Sequence, residues 1–205
     1  SRGRFRSIDM KDLIKRSADS VWDSEESTLT YVYPLPRDED FLKRGAHLCQ
    51  GIPKSQLYKV GSSFWAAKSP DSHIGPFLWA TDFLVPDGTK VLSAQEGTII
   101  EIQEHSSSWG DGPEFRDLLN YLTIQHKGGE YSQYCHLAPF SVSELGLSVG
   151  DSVKQGQPIG AVGKTGWTDR DHLHFIVFRD DNSSKNPHGF KSLKIRFSNQ
   201  SWGAQ

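Results

Sequence analysis

The chain has 205 residues, 36% hydrophobic and 11% aromatic, enough for one sizeable domain with a buried core. A formal net charge of −2 argues against a dedicated nucleic-acid binder. No run of about 18 apolar residues offers a membrane span, and the start, SRGRFRSIDM, lacks the apolar stretch of a signal peptide, leaving a removed leader or none as alternatives.

Nineteen glycines and ten prolines scattered between short Val/Ile/Phe runs predict many turns and short strands, a mainly β chain. Residues 7–22 carry Ile8, Leu13, Ile14, Ala18, Val21 and Trp22 near helical spacing, which predicts a short amphipathic helix. Residues 1–30 then form an N-terminal helical extension to a domain over 31–200. Pro34 and Pro36 prevent a helix after Tyr31. From Trp79 the pattern reads as strand, Pro-Asp-Gly-Thr turn, strand, Glu-Gly turn, strand. SSSWGDGPEFRDLLN follows as a polar insertion with a helical turn. YLTIQHKGGEYSQYCHL reads as a hairpin with Gly128-Gly129 as a two-residue turn. Pairing Lys127 with Glu130 places Tyr121, Thr123, Tyr134 and His136 on one face, and His126, Tyr131 and Cys135 on the other. Short strands and glycine turns continue to DHLHF, and the tail after 180 is a loop closed by a last strand.

Several residues carry potential chemistry. His172 and His174 flank Leu173 in a strand-like run, so both imidazoles face one space while Leu173, Phe175 and Val177 pack behind. Such a pair suits a metal or two proton carriers, or two ordinary hydrogen-bonded histidines. Asp82, in WATDFLVP, is a carboxylate among apolar neighbours, costly to bury unless it is paired or bound to a cation, or else it caps the following turn. His73 and His136 complete the set of candidates. Cys135 beside His136 suggests a thiol nucleophile, but adjacent strand residues face apart. Cys49 and Cys135 could pair once and supply neither a disulfide framework nor a zinc ribbon. GAVGKTG lacks the first glycine of a phosphate loop, with Pro158 in its place, and leads into a strand. SVGDSVKQGQPIGAVG also resembles the turns of lipoyl carriers, but Met10 is the single methionine and lies far from it. His47, His105, His126 and His188 read as loop or surface residues.

DFLVPDGTKVLSAQEGTI, YSQYCHL, VGDSVKQGQPIGAVGKTG and DHLHF resemble, in order and spacing, the lysostaphin-type (LytM-like) zinc endopeptidases over about residues 70–178. The resemblance implies an antiparallel β-sheet groove, barrel-sandwich-like from a duplicated hybrid motif, with one Zn2+ at its floor. It also implies hydrolysis of peptide bonds in peptidoglycan crosslinks, hence a periplasmic or extracellular setting. Asp82 and His174 become metal ligands. His136 and His172 become the non-ligand histidines that take a proton or steady the oxyanion. Tyr134 is one candidate to orient His136. The family's His-x-x-x-Asp spacing places Leu78 where a ligand should stand. Either the site is degenerate and the domain binds or regulates without cutting, or His73, nine positions before Asp82, serves instead. The second reading is favoured, because an enlarged loop adds little closure entropy and Gly75-Pro76 supplies a turn.

Overall fold

Leu173, Phe175 and Val177 are fully buried on one side of the strand Leu173–Asp180, so the alternation read from the sequence holds where it matters most. The structure, a computed structural model, describes residues 25–37 and 40–198. The helix expected over residues 7–22 lies outside them.

The described chain runs through a one-turn helix α1 (Phe41–Arg44) and then β1 (Leu57–Val60), β2 (Phe64–Ala67), β3 (Thr81–Phe83), β4 (Lys90–Leu92) and β5 (Gly97–Gln103). It continues through β6 (Trp109–Gly110), β7 (Tyr121–Gln125), β8 (Glu130–Cys135), β9 (Ser152–Val153), β10 (Pro158–Ala161), β11 (Gly166–Trp167), β12 (Leu173–Asp180) and β13 (Phe190–Ser192). Nine strands form one open sheet, with β1-β2-β3-β12-β8-β7-β5-β9 in order and β13 paired to β12. Every pairing in it is antiparallel, and it does not close into a barrel.

One face of the sheet buries Phe64, Phe83, Ile99, Leu122, Ile124, Tyr134 and Phe175 against Val91 and Ile159 of the separate β4–β10 ribbon. Each such side chain contributes about 1.5–3 kcal/mol of transfer free energy, so this layer, not strand propensity, holds the sheet together. The opposite face lines a groove. The extended segment after Glu25 is stitched on by Glu130, which is fully buried and accepts hydrogen bonds from Ser27 Oγ (2.6 Å), Thr28 N (2.7 Å) and Tyr31 Oη (2.9 Å). No helix among the described residues is long and apolar enough to cross a membrane.

The expected hairpin forms with a different register. Lys127–Gly129 makes a three-residue turn, with Gly128 (φ 70°) and Gly129 (φ 74°) in the left-handed region, and Gln125 pairs with Tyr131. The ladder is therefore offset by one residue. Tyr121 and Thr123 share the groove face with Gln133 and Cys135, while Tyr134 packs in the core with Leu122 and Ile124. Burial explains the choice. The other register would drive Gln133 into the apolar layer, whereas this one lets Gln133 Nε2 donate to Thr123 Oγ1 at 2.9 Å.

Candidate metal centre

One row of cross-strand partners builds the groove floor: Asp82 on β3 faces His174 on β12, which faces Cys135 on β8, which faces Tyr121 on β7. Directly opposed residues share a face of the sheet, so register alone puts Asp82 beside His174. His73 arrives from outside the sheet. Ser69 (φ 41°) opens a turn whose carbonyl accepts from Ser72 N (3.0 Å) and His73 N (2.8 Å), folding the imidazole back over Asp82. A 3-10 turn, Gly75–Phe77, then returns the chain to β3, and Leu78 caps that turn.

Asp82 Oδ1 accepts from His174 Nδ1 at 2.8 Å, and Asp82 Oδ2 accepts from Ser69 Oγ at 2.7 Å. His73 Nε2 lies 3.1 Å from Asp82 Oδ2 but outside hydrogen-bond geometry, so this buried nitrogen has no hydrogen-bond partner. Suitable atoms of His73, Asp82 and His174 all lie within 4.8 Å of one another. His172 Nε2 stands 3.9 Å from Asp82 Oδ1, and the His136 and His172 rings are 4.5 Å apart. All five predicted site residues therefore gather in one place.

Burial alone would raise the Asp82 carboxyl, but His73, His172 and His174 around it hold it well below the usual carboxylate range. Burial pushes His174 below the ordinary imidazole value against the pull of Asp82. Burial and the neighbouring His172 push His136 down to about 3. The site thus presents a carboxylate at Asp82 and depressed imidazoles at His174 and His136, and a divalent cation needs its ligands in these deprotonated forms. Two nitrogens and a carboxylate oxygen converging, one nitrogen orphaned, form a donor set that fits zinc.

His136 breaks the strand alternation assumed from the sequence. Its φ of 64° turns it back toward the groove, so Cys135 and His136 line the same cavity rather than facing apart. The thiol is nonetheless a poor nucleophile. Burial and the charge of Asp82 push it far up, and Cys135 Sγ donates to Gln133 Oε1 at 3.3 Å. Cys49 and Cys135 are both free thiols. Tyr134 does not orient His136. Its hydroxyl accepts from Ala94 N (2.8 Å) within the core.

Thr165 does that work instead, its carbonyl accepting from His136 Nδ1 at 2.6 Å. Thr165 Oγ1 donates to Leu137 O (3.0 Å) and accepts from Asn120 N (3.1 Å), and the fully buried Asn120 amide donates to Leu137 O and Ser106 O. The glycine-rich stretch that imitates a phosphate loop is the end of β10 and the short connection to β11, which carries Thr165. A Cβ on Gly163 would meet the Ala138 backbone at 2.5 Å. His172 Nδ1 donates to Arg170 O at 3.0 Å, while the Arg170 guanidinium ties down Leu48 O (2.7 Å) and Gln50 O (2.8 Å). Ser69, Asn120, Thr165 and Arg170 were not legible as site residues. Only the Ser-Pro pair and the glycine run marked turns there. His126, expected near the surface, is buried between Glu96 O (2.6 Å) and Ser132 Oγ (2.7 Å), whereas His47 and His105 are exposed.

The groove above this floor encloses about 550 Å³, walled by Ile52, Ala67 and Leu84 and by Leu119, Trp167 and Arg170. The family model for peptidase family M23 matches residues 77–187. The chain belongs to peptidase family M23. The M23 match begins after His73, so it covers Asp82, His136, His172 and His174 but not the fifth residue. An uncharacterized metalloprotease of Buchnera aphidicola is 35% identical over 128 residues, 62% of this chain and 30% of that protein. The peptidoglycan DD-endopeptidase ShyB of Vibrio cholerae is 34% identical over 97 residues, 47% of this chain and 19% of that protein. The catalytic domain of the antimicrobial peptidase lysostaphin from Staphylococcus simulans is 30% identical with a TM-score of 0.39, over 53% of this chain and 71% of that one. The chain spans less than a third of the length of these two curated relatives.

Proposed function

We propose that this M23 chain is a zinc-dependent endopeptidase that hydrolyses peptide bonds in peptidoglycan crosslinks outside the cytoplasm, with His73, Asp82 and His174 holding the ion. The observation that carries the reading is His73 Nε2, buried and without a hydrogen bond 3.1 Å from a carboxylate that is itself bonded to His174. The name of the ShyB relative supports the substrate class. A bound zinc ion supplies Lewis acidity, acidifying water toward a pKa of about 7 and polarising the scissile carbonyl.

The remaining steps fall to side chains. Carbonyl oxygens only accept, so His172 and His136 each keep their proton on Nδ1, bonded to Arg170 O and Thr165 O. Each Nε2 is then a lone pair, fit to take a proton and unable to donate until it has done so. His172 takes the proton of the attacking water, because its Nε2 stands nearer Asp82 while His136 is held at about 3. Once protonated, Nε2 becomes the donor for the leaving amine. His136, its ring 4.5 Å from that of His172, offers only an acceptor at Nε2 and so receives a hydrogen bond from the attacking water rather than donating to the carbonyl oxygen.

The test is hydrolysis of purified cell-wall sacculi and crosslinked muropeptides by protein loaded with one equivalent of zinc, with chelated protein alongside. New amino termini in the zinc arm alone are expected, and their absence on both substrates contradicts the proposal. Leu78, four positions before Asp82, supports a second reading, a binding module that does not cut. His73→Ala separates the two. Changes behind a ligand weaken metal binding about 10–100-fold, and losing a ligand exceeds that. Unchanged zinc affinity in this variant favours the binding module.

A further inference from the structure

Ser69 occupies a backbone position that a serine adopts at a cost. Its φ of 41° lies in the left-handed region, where glycine would sit without strain. The hydroxyl explains why a side chain is kept there. Ser69 Oγ donates to Asp82 Oδ2 at 2.7 Å, the short distance of a charge-assisted bond. The Ser69 carbonyl accepts from His73 N at 2.8 Å, so one residue touches both the carboxylate and the turn that delivers the orphaned imidazole.

We infer that Ser69 is a positioning residue for the metal centre, its hydroxyl fixing the rotation of the Asp82 carboxylate so that both oxygens face His73 and His174. The inference rests on the metal site proposed above. A carboxylate on a short strand rotates about its terminal torsion with little resistance. The partners on its two oxygens are His174 at Oδ1 and Ser69 at Oδ2. The His174 bond needs a proton on Nδ1, the nitrogen 2.8 Å from Asp82, so a cation held between these two residues through that nitrogen would replace the proton and end the bond. The Ser69 bond uses no ligand atom and persists. Ser69 thus does for the carboxylate what Thr165 and Arg170 do for His136 and His172, which is to fix its orientation before the site is filled.

Two variants separate orientation from folding. Ser69→Gly relieves the positive φ and removes the hydroxyl, whereas Ser69→Ala removes the hydroxyl and keeps the backbone stiff. Zinc dissociation constants are measured by competition with a chromogenic chelator, and the thermal midpoint of the metal-free form is measured alongside. Both variants are expected to bind zinc about 10–100-fold more weakly than wild type, while metal-free Ser69→Gly melts no lower than wild type. Equal affinity in either variant overturns the inference. A metal-free Ser69→Gly protein that melts well below wild type assigns Ser69 to folding and overturns it too. Wild type that takes up no zinc is a separate result, refuting the metal site itself and this inference with it.

Discussion

His174 Nδ1 lies 2.8 Å from Asp82 Oδ1, and the two residues are direct cross-strand partners on β12 and β3. Sheet register alone therefore builds two thirds of the proposed ligand set. The third part depends on a loop, and the proposed hydrolytic step depends on two more histidines anchored by the carbonyls of Thr165 and Arg170.

Those two histidines should separate chemistry from metal binding. His172→Ala is expected to lower kcat by about 10²–10⁴-fold with zinc affinity within about three-fold of wild type. His136→Ala is expected to behave likewise, with a smaller loss in kcat. Stoichiometry by elemental analysis alongside turnover on a crosslinked peptide checks both. Loss of zinc with loss of turnover would make them ligands instead.

Cys135→Ala is expected to retain hydrolysis within about two-fold of wild type. The thiol faces the groove beside His136, yet burial and Asp82 keep it protonated. Abolished turnover in a folded variant with normal zinc content would restore the thiol as a participant.

The metal-free protein should lose stability in acid. His136 has its folded value depressed from 6.5 to about 3, and His126 and Asp82 are also held below their ordinary values. Depressed groups bind fewer protons folded than unfolded, so their stabilisation is complete above the unfolded value and fades as pH falls toward the folded one. The histidines set the window, from pH 6.5 down to about 3. Urea midpoints of the chelated protein are expected to be flat between pH 7 and 8 and to fall steadily from pH 6.5 to 4. A midpoint that rises on acidification contradicts these protonation states.

Glu130→Ala should destabilise the fold without touching the groove. The change leaves Ser27, Thr28 and Tyr31 facing a buried void where a carboxylate accepted their bonds. A loss of about 2–4 kcal/mol in chemical denaturation is expected, with zinc affinity unchanged.

The sequence made some of this architecture legible and concealed the rest, for identifiable reasons. The period-two pattern of HLHFIVF placed His174 on the groove side and Phe175 in the core, because burial on one face forbids the alternative. Asp82 stood out as a charge among apolar residues. The hairpin register slipped by one because two adjacent glycines fit both a two-residue and a three-residue turn, and only the burial of Tyr134 against Gln133 chooses between them. His136 was set against Cys135 by an alternation that its own φ of 64° breaks. Ser69, Asn120, Thr165 and Arg170 act through hydrogen bonds to backbone or carboxylate, most of them to residues 13 or more positions away, and no periodicity encodes those.

Diffraction at the zinc absorption edge from crystals of the zinc-loaded protein tests the central claim most directly. One anomalous peak per chain is expected, bounded by His73 Nε2, Asp82 and His174 Nδ1. A peak that leaves His73 outside its coordination sphere, or no peak in that groove, contradicts the metal centre and the hydrolytic function built on it.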